Sequence, residues 1–121
     1  MDSYYPLLCG YGNKSDVIRL LKDFYIEELG IKCVMEEPWV TLAESSESII
    51  ALIKSGEVET AHKIFSDIIK LKNKDGIFPT GYQYKLDIFW PEENSTWTNA
   101  VVIMAADCLF DLTGKEKAIL I

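Results

Sequence analysis

The chain has 121 residues, of which 49% are hydrophobic, 26% charged and 12% aromatic, a profile that fits one globular domain over 1–121 and excludes a disordered tail or a fibre. At this length folding buries roughly two thirds of the unfolded chain's surface, so a stable core needs no disulfide, structural metal or cofactor. The balance of 19 acidic against 12 basic residues gives a net charge of −7, which repels phosphate backbones and anionic lipid surfaces and argues against nucleic acid as a partner.

After an irregular opening, Ser15 or Asp16 is placed to cap a helix in which Val17, Ile18, Leu20, Leu21, Phe24, Tyr25 and Leu29 recur at helical spacing, with Gly30 as its stop. Residues 31–40 read as a loop that holds Glu36, Glu37 and Pro38 and ends near Trp39. Thr41 opens a second helix running to about Ser55, closed by Gly56. The third helix, about Glu57 to Lys72, is amphipathic, with Val58, Ala61, Ile64, Phe65, Ile68 and Leu71 on one stripe. A long loop follows from Asn73 to Thr96, and loops beyond about 15 residues in compact domains are usually functional or disordered. Its Ile77, Phe78, Tyr82, Tyr84, Ile88, Phe89 and Trp90 are too apolar for a solvated linker. The fourth helix, near Trp97 to Leu112, is apolar almost all round, as expected of a helix enclosed on several sides. The pattern predicts an all-α domain of α/α hairpins with a long irregular aromatic loop before the last helix.

Cys9, Cys33 and Cys108 are odd in number and lack C-x-x-C pairing, which suggests neither a disulfide framework nor a zinc knuckle and fits a cytoplasmic protein. Cys108 sits in the apolar run 100–110, where a thiol behaves as a small buried hydrophobe. The N-terminus carries Asp2 where a signal peptide has positive charge, and no apolar run approaches the ~20 residues of a membrane span. A weak internal repeat joins Trp39 to Trp97 and Gly56 to Gly114, each pair 58 positions apart. Repeated pairs of enclosed and exposed helices are how helical arrays bury a continuous core.

Three stretches carry a family resemblance: residues 2–10; Leu29-Gly30-Ile31-Lys32-Cys33-Val34 with Pro38-Trp39-Val40-Thr41-Leu42-Ala43-Glu44; and Asp75-Gly76 through Gly81-Tyr82 to Trp90-Pro91-Glu92 and Thr96-Trp97-Thr98. They resemble bacterial prenyltransferase-like proteins, whose fold is similar to the terpenoid cyclase and protein prenyltransferase α/α toroid. The resemblance covers only the C-terminal part of that family, and implies a partial α/α toroid, a truncated product or a severed domain. The family's chemistry does not follow: no D-x-D-D acid motif is present, and the zinc constellation of protein prenyltransferases is not traceable, since Asp107-Cys108 lacks the intervening residue and the sole histidine is His62. No metal site is expected.

Two groups of residues stand out as candidate sites. Thr41, Glu44 and Glu47 are three apart and share a face of the second helix. Carboxylates on a core-facing helix are costly unless paired or solvated, so Glu44 and Glu47 read either as pocket acids for general acid/base or cation-stabilising work, or as caps, with Thr41 and Glu44 forming a capping box. The second group is Tyr82, Tyr84, Trp90, Glu92, Glu93 and Trp97, with Trp39 before the enclosed helix as its counterpart. Aromatics beside acids line sugar or cation sites; the same residues serve equally as packing anchors, with Glu92 capping the last helix. The expected catalytic set is Glu44, Glu47 and Glu92, and the expected ligand-binding set Trp39, Thr41, Tyr82, Trp90 and Trp97. Phosphate-cradling loops, nucleophile elbows and H-E-x-x-H pairs are absent from the sequence.

Two functions compete. One is an α/α-toroid domain with an acidic-aromatic pocket for an isoprenoid or carbohydrate ligand. The alternative is a non-catalytic helical module, a remnant or subdomain that binds a partner chain or copies of itself through exposed apolar helix faces, because two hairpins cannot close a ring.

Overall fold

A computed structural model describes residues 13–72, 76–89 and 96–110. Among these residues, four helices and five short strands follow in the order α1 (Lys14–Asp23), β1 (Tyr25–Ile26), β2 (Gly30–Ile31), β3 (Trp39–Thr41), α2 (Leu42–Lys54), α3 (Val58–Ile69), β4 (Gly81–Gln83), β5 (Ile88–Phe89) and α4 (Thr96–Phe110). The strands form two antiparallel sheets, β1-β2 and β3-β4-β5, so the described chain is α+β. The all-α expectation is thereby corrected. Strands of two or three residues are too short to display the period-two alternation that distinguishes a strand from a loop in sequence.

The first helix starts earlier and ends sooner than its apolar spacing suggests. Asn13, not Ser15 or Asp16, is the N-cap: its Oδ1 accepts from the backbone N–H of Ser15 and Asp16, and Asp16 Oδ2 accepts in return from the Asn13 N–H, completing a capping box. The chain leaves the helix at Phe24 and turns back as the β1-β2 hairpin, pairing Tyr25 with Ile31 and Ile26 with Gly30. Glu28, at φ 71°, and Gly30, at φ 131°, supply the left-handed backbone this turn needs. The hairpin is pinned by Tyr25, whose hydroxyl donates to Asp67 Oδ2 on α3 at 2.5 Å.

The core sits around α2, which packs against both α3 and α4. Leu42, Ile49 and Leu52 of α2, Ile64 and Ile68 of α3, Leu20 of α1 and Ile31 of β2 are fully buried. Gly56, at φ 83°, follows the C-cap Ser55 and ends α2 in the left-handed conformation typical of a helix C-terminus. The long loop after α3 contains structure of its own: β4 pairs with β3 on one side and β5 on the other, and its start is held to α4 by Asn99, which accepts from the Phe78 N–H and donates to the Phe78 carbonyl. The repeat of Trp39 and Trp97 has no structural counterpart, because Trp39 lies on a strand before α2 whereas Trp97 lies inside the first turn of α4. Gly114 lies outside the described residues. Nor is α4 enclosed all round: Trp97, Ile103 and Phe110 are more than half exposed. Among the described residues no helix is long and apolar enough to cross a membrane.

Candidate functional site

The three-stranded sheet organises the surface in which the candidate residues gather. Trp39 pairs with Gln83, Val40 with Tyr82 and Thr41 with Gly81 across β3 and β4. Opposed residues of an antiparallel pair point to the same face and successive residues to opposite faces. Trp39, Thr41, Gly81 and Gln83 therefore share one face, and Val40, Tyr82 and Phe89 the other.

On the first face lies a cleft of about 350 Å³ lined by Val34, Glu37, Trp39 and Gln83. Its wall is the loop from Cys33 to Trp39, shaped by backbone bonds of Glu37 N–H to the Val34 carbonyl (3.3 Å) and Trp39 N–H to the Glu37 carbonyl (2.8 Å). The two stems of this loop face each other: Cys33 N–H donates to the Trp39 carbonyl at 3.2 Å, and Lys32 bridges to Val40. On the opposite side Gln83 is fixed by its own Oε1, which accepts from the N–H groups of Lys85 and Leu86 in the β4-β5 turn. The Trp39 indole packs directly over Gly81, where a β-carbon would stand 2.7 Å from Cε2. Glycine is required at that position by space.

Beneath the cleft, the first turn of α2 fastens the strands. Ser45, fully buried, accepts from the Ile31 N–H at 2.8 Å and donates to the Thr41 carbonyl at 2.6 Å, joining β2 to β3. Glu44 accepts from the Thr41 hydroxyl through Oε2 and from the Cys33 thiol through Oε1, the latter at 3.5 Å. Burial, then the charge and hydrogen bond of Glu44, push the Cys33 thiol up, so it keeps its proton at neutral pH. Thr41 is the N-cap of α2, but its side chain makes no capping bond to the helix backbone, because its hydroxyl is directed to Glu44.

The expected residues thus divide. Trp39 lines the cleft, and Thr41 and Glu44 are hydrogen-bonded to each other below it. Glu47 lies one turn further along α2, partly exposed. Tyr82 is on the opposite face of the sheet, its ring 5.3 Å from that of Phe89 and its hydroxyl donating to Asp87 at 2.5 Å, a bond that together with burial raises its pKa. Trp97 is exposed on α4. Trp90, Glu92 and Glu93 lie outside the described residues. Val34, Gln83 and Cys33 had no sequence signal of their own, and Glu37 only its place in the acidic pair before Pro38-Trp39. Among the described residues no group of three His, Cys, Asp or Glu side chains is gathered for a metal.

No family model matches the chain. Among curated proteins, it is similar to a protein of Mycolicibacterium hassiacum named MMP endo-(1,4)-3-O-methyl-alpha-D-mannosidase, with 40% identity over 113 residues. The alignment covers 90% of this chain and 32% of the relative, so the chain spans about a third of that protein's length. The resemblance to prenyltransferase-like and terpenoid cyclase-like toroids is corrected by two findings together: the relative carries the name of a carbohydrate-processing enzyme, and the described fold combines helices with antiparallel sheet.

Proposed function

We propose that this chain forms a carbohydrate-recognition cleft in a glycoside-processing protein, and that its ligand is an O-methylated mannoside of the kind named for the M. hassiacum relative. The observation that carries this reading is that Trp39 lines one cleft together with Glu37 and Gln83. An indole face offers apolar area to the C–H face of a pyranose, while a carboxylate and an amide exchange hydrogen bonds with its hydroxyls. With Gln83 Oε1 engaged by the β4-β5 turn, the amide nitrogen is the atom that donates to the sugar. Val34 adds an apolar wall suited to a methyl ether. The cleft volume of about 350 Å³ falls in the range of roughly 300–1,000 Å³ usual for small-ligand sites.

Hydrolysis of a glycoside uses two carboxyl groups, roughly 5–10 Å apart. Glu37, on the cleft wall, is proposed as one of them, and Glu47 and Glu92 are the candidates for its partner. An isoprenoid ligand and a self-associating helical module are not part of this proposal, since no observation favours either.

Calorimetric titration with an α-(1,4)-linked 3-O-methylmannose oligosaccharide tests the reading. Saturable binding by the wild-type chain, reduced at least about tenfold in Trp39→Ala, is expected, a loss of about 1.4 kcal/mol. Absence of binding, or equal affinity in the variant, overturns it.

A further inference from the structure

The loop that carries the cleft wall begins at Cys33 and ends on β3, and a single carboxylate reaches both of its stems. Glu44 accepts from the Cys33 thiol on the incoming stem and from the Thr41 hydroxyl two residues beyond Trp39 on the outgoing one. Each carboxylate oxygen has its own donor, and the group projects from the first turn of α2, which is fixed in the core through Leu42 and Ser45. A carboxylate has an acceptor oxygen for each of two donors, and hydrogen bonds to it are stronger than those to a neutral acceptor. The stems also meet through backbone, by the Lys32–Val40 bridge and the bond from Cys33 N–H to the Trp39 carbonyl at 3.2 Å, contacts that join the stems to each other and not to the helix.

We infer that Glu44 is the positioning residue of the cleft: by holding Cys33 and Thr41 together it locks the loop 33–39 onto α2 in the shape that brings Glu37 and Trp39 to the cleft wall. Glu44 acts through these neighbours and does not touch the ligand. The connection to sugar affinity rests on the reading of the cleft given above; the connection to loop shape does not.

The test compares wild type with Glu44→Gln, which keeps the side chain's size but removes its charge and one of its two acceptors. Alkylation of Cys33 by iodoacetamide is followed against pH, with the modified peptide identified by mass spectrometry, and hydrogen exchange is measured over residues 33–39. Removing the carboxylate charge moves the Cys33 alkylation profile to lower pH, and exchange in the loop rises several-fold while that of the α2 and α3 core is unchanged. A general loosening of the structure also relieves the burial of the thiol and moves the profile the same way, but it raises exchange in the α2 and α3 core as well, and that result overturns the inference. An unmoved profile, or unchanged exchange in the loop, overturns the inference. Should Glu44→Gln fail to fold, Thr41→Val serves in its place: it deletes the outgoing anchor and keeps a β-branched residue on β3, and exchange in the loop again rises or the inference fails. Sugar affinity is measured on the same variants and is expected to fall at least fivefold. If the wild-type chain binds no sugar, the reading of the cleft fails while the alkylation and exchange results still decide the role of Glu44.

Discussion

The indole of Trp39 lies against the α-carbon of Gly81, its cross-strand diagonal neighbour, so closely that a β-carbon there would meet Nε1 and stand 2.7 Å from Cε2. Backbone of β4 is therefore part of the seat of the cleft aromatic. Gly81→Ala must push the indole aside, and overpacking of this kind costs about 1–3 kcal/mol. Urea unfolding is expected to show that loss, and the variant to lose sugar affinity together with its native tryptophan emission.

Ser45 joins three elements through one hydroxyl, accepting from Ile31 on β2 and donating to Thr41 on β3 from its place on α2. Ser45→Ala leaves the Ile31 N–H buried without this acceptor, at a cost of about 1–3 kcal/mol. The midpoint of urea denaturation should fall accordingly, with no change in slope.

Two other serines on the same helix predict the opposite sign. Ser46 and Ser48 are fully buried, and among the described residues their hydroxyl oxygens have no hydrogen-bond partner. Alanine removes an unpaired polar atom and raises helix propensity, so Ser46→Ala and Ser48→Ala are expected to be neutral or stabilising by up to about 1 kcal/mol. A loss beyond that on thermal unfolding would show that these hydroxyls are satisfied in solution.

Much of the helical part was legible in the sequence, and the limits of legibility are physical. Gly56 after an apolar run marked the end of α2 correctly, because a left-handed residue is what a helix terminus needs there. Tyr25 and Leu29 continued the helical spacing of α1, yet the chain turns at Phe24; the anchor that wins is the long-range bond from Tyr25 to Asp67 on α3, which no local pattern displays. The spacing of Thr41 and Glu44 pointed to their contact, and the structure adds Cys33, so what read as a capping box is a link between a helix and a loop. Gln83 became a cleft residue only through the register that sets it opposite Trp39, and register between distant segments is not written in either one alone. Trp39, expected in the ligand-binding set, lines the cleft; Tyr82, expected in the same set, falls on the other face of the sheet because it is paired with Val40.

The Tyr25–Asp67 contact also sets a pH dependence. Burial, then the hydrogen bond to Asp67, raises the Tyr25 pKa well above its ordinary 10.0. The protonated phenol is thus favoured in the folded state, its contribution is fully present below pH 10.0, and it is lost as pH rises further. Stability measured by urea unfolding should decline above that pH in wild type more steeply than in Tyr25→Phe, which has no proton to lose; equal slopes would contradict the assignment.

The most direct measurement of the central claim is a titration of the ¹⁵N-labelled chain with an α-(1,4)-linked 3-O-methylmannose oligosaccharide, followed by two-dimensional NMR. Shifts concentrated at Val34, Glu37, Gln83 and the Trp39 indole N–H, and stronger than those produced by the unmethylated oligosaccharide, are the predicted result. Shifts centred elsewhere, such as Tyr82 and Phe89 on the opposite face or Trp97 on α4, or no shifts at saturating sugar, would contradict it.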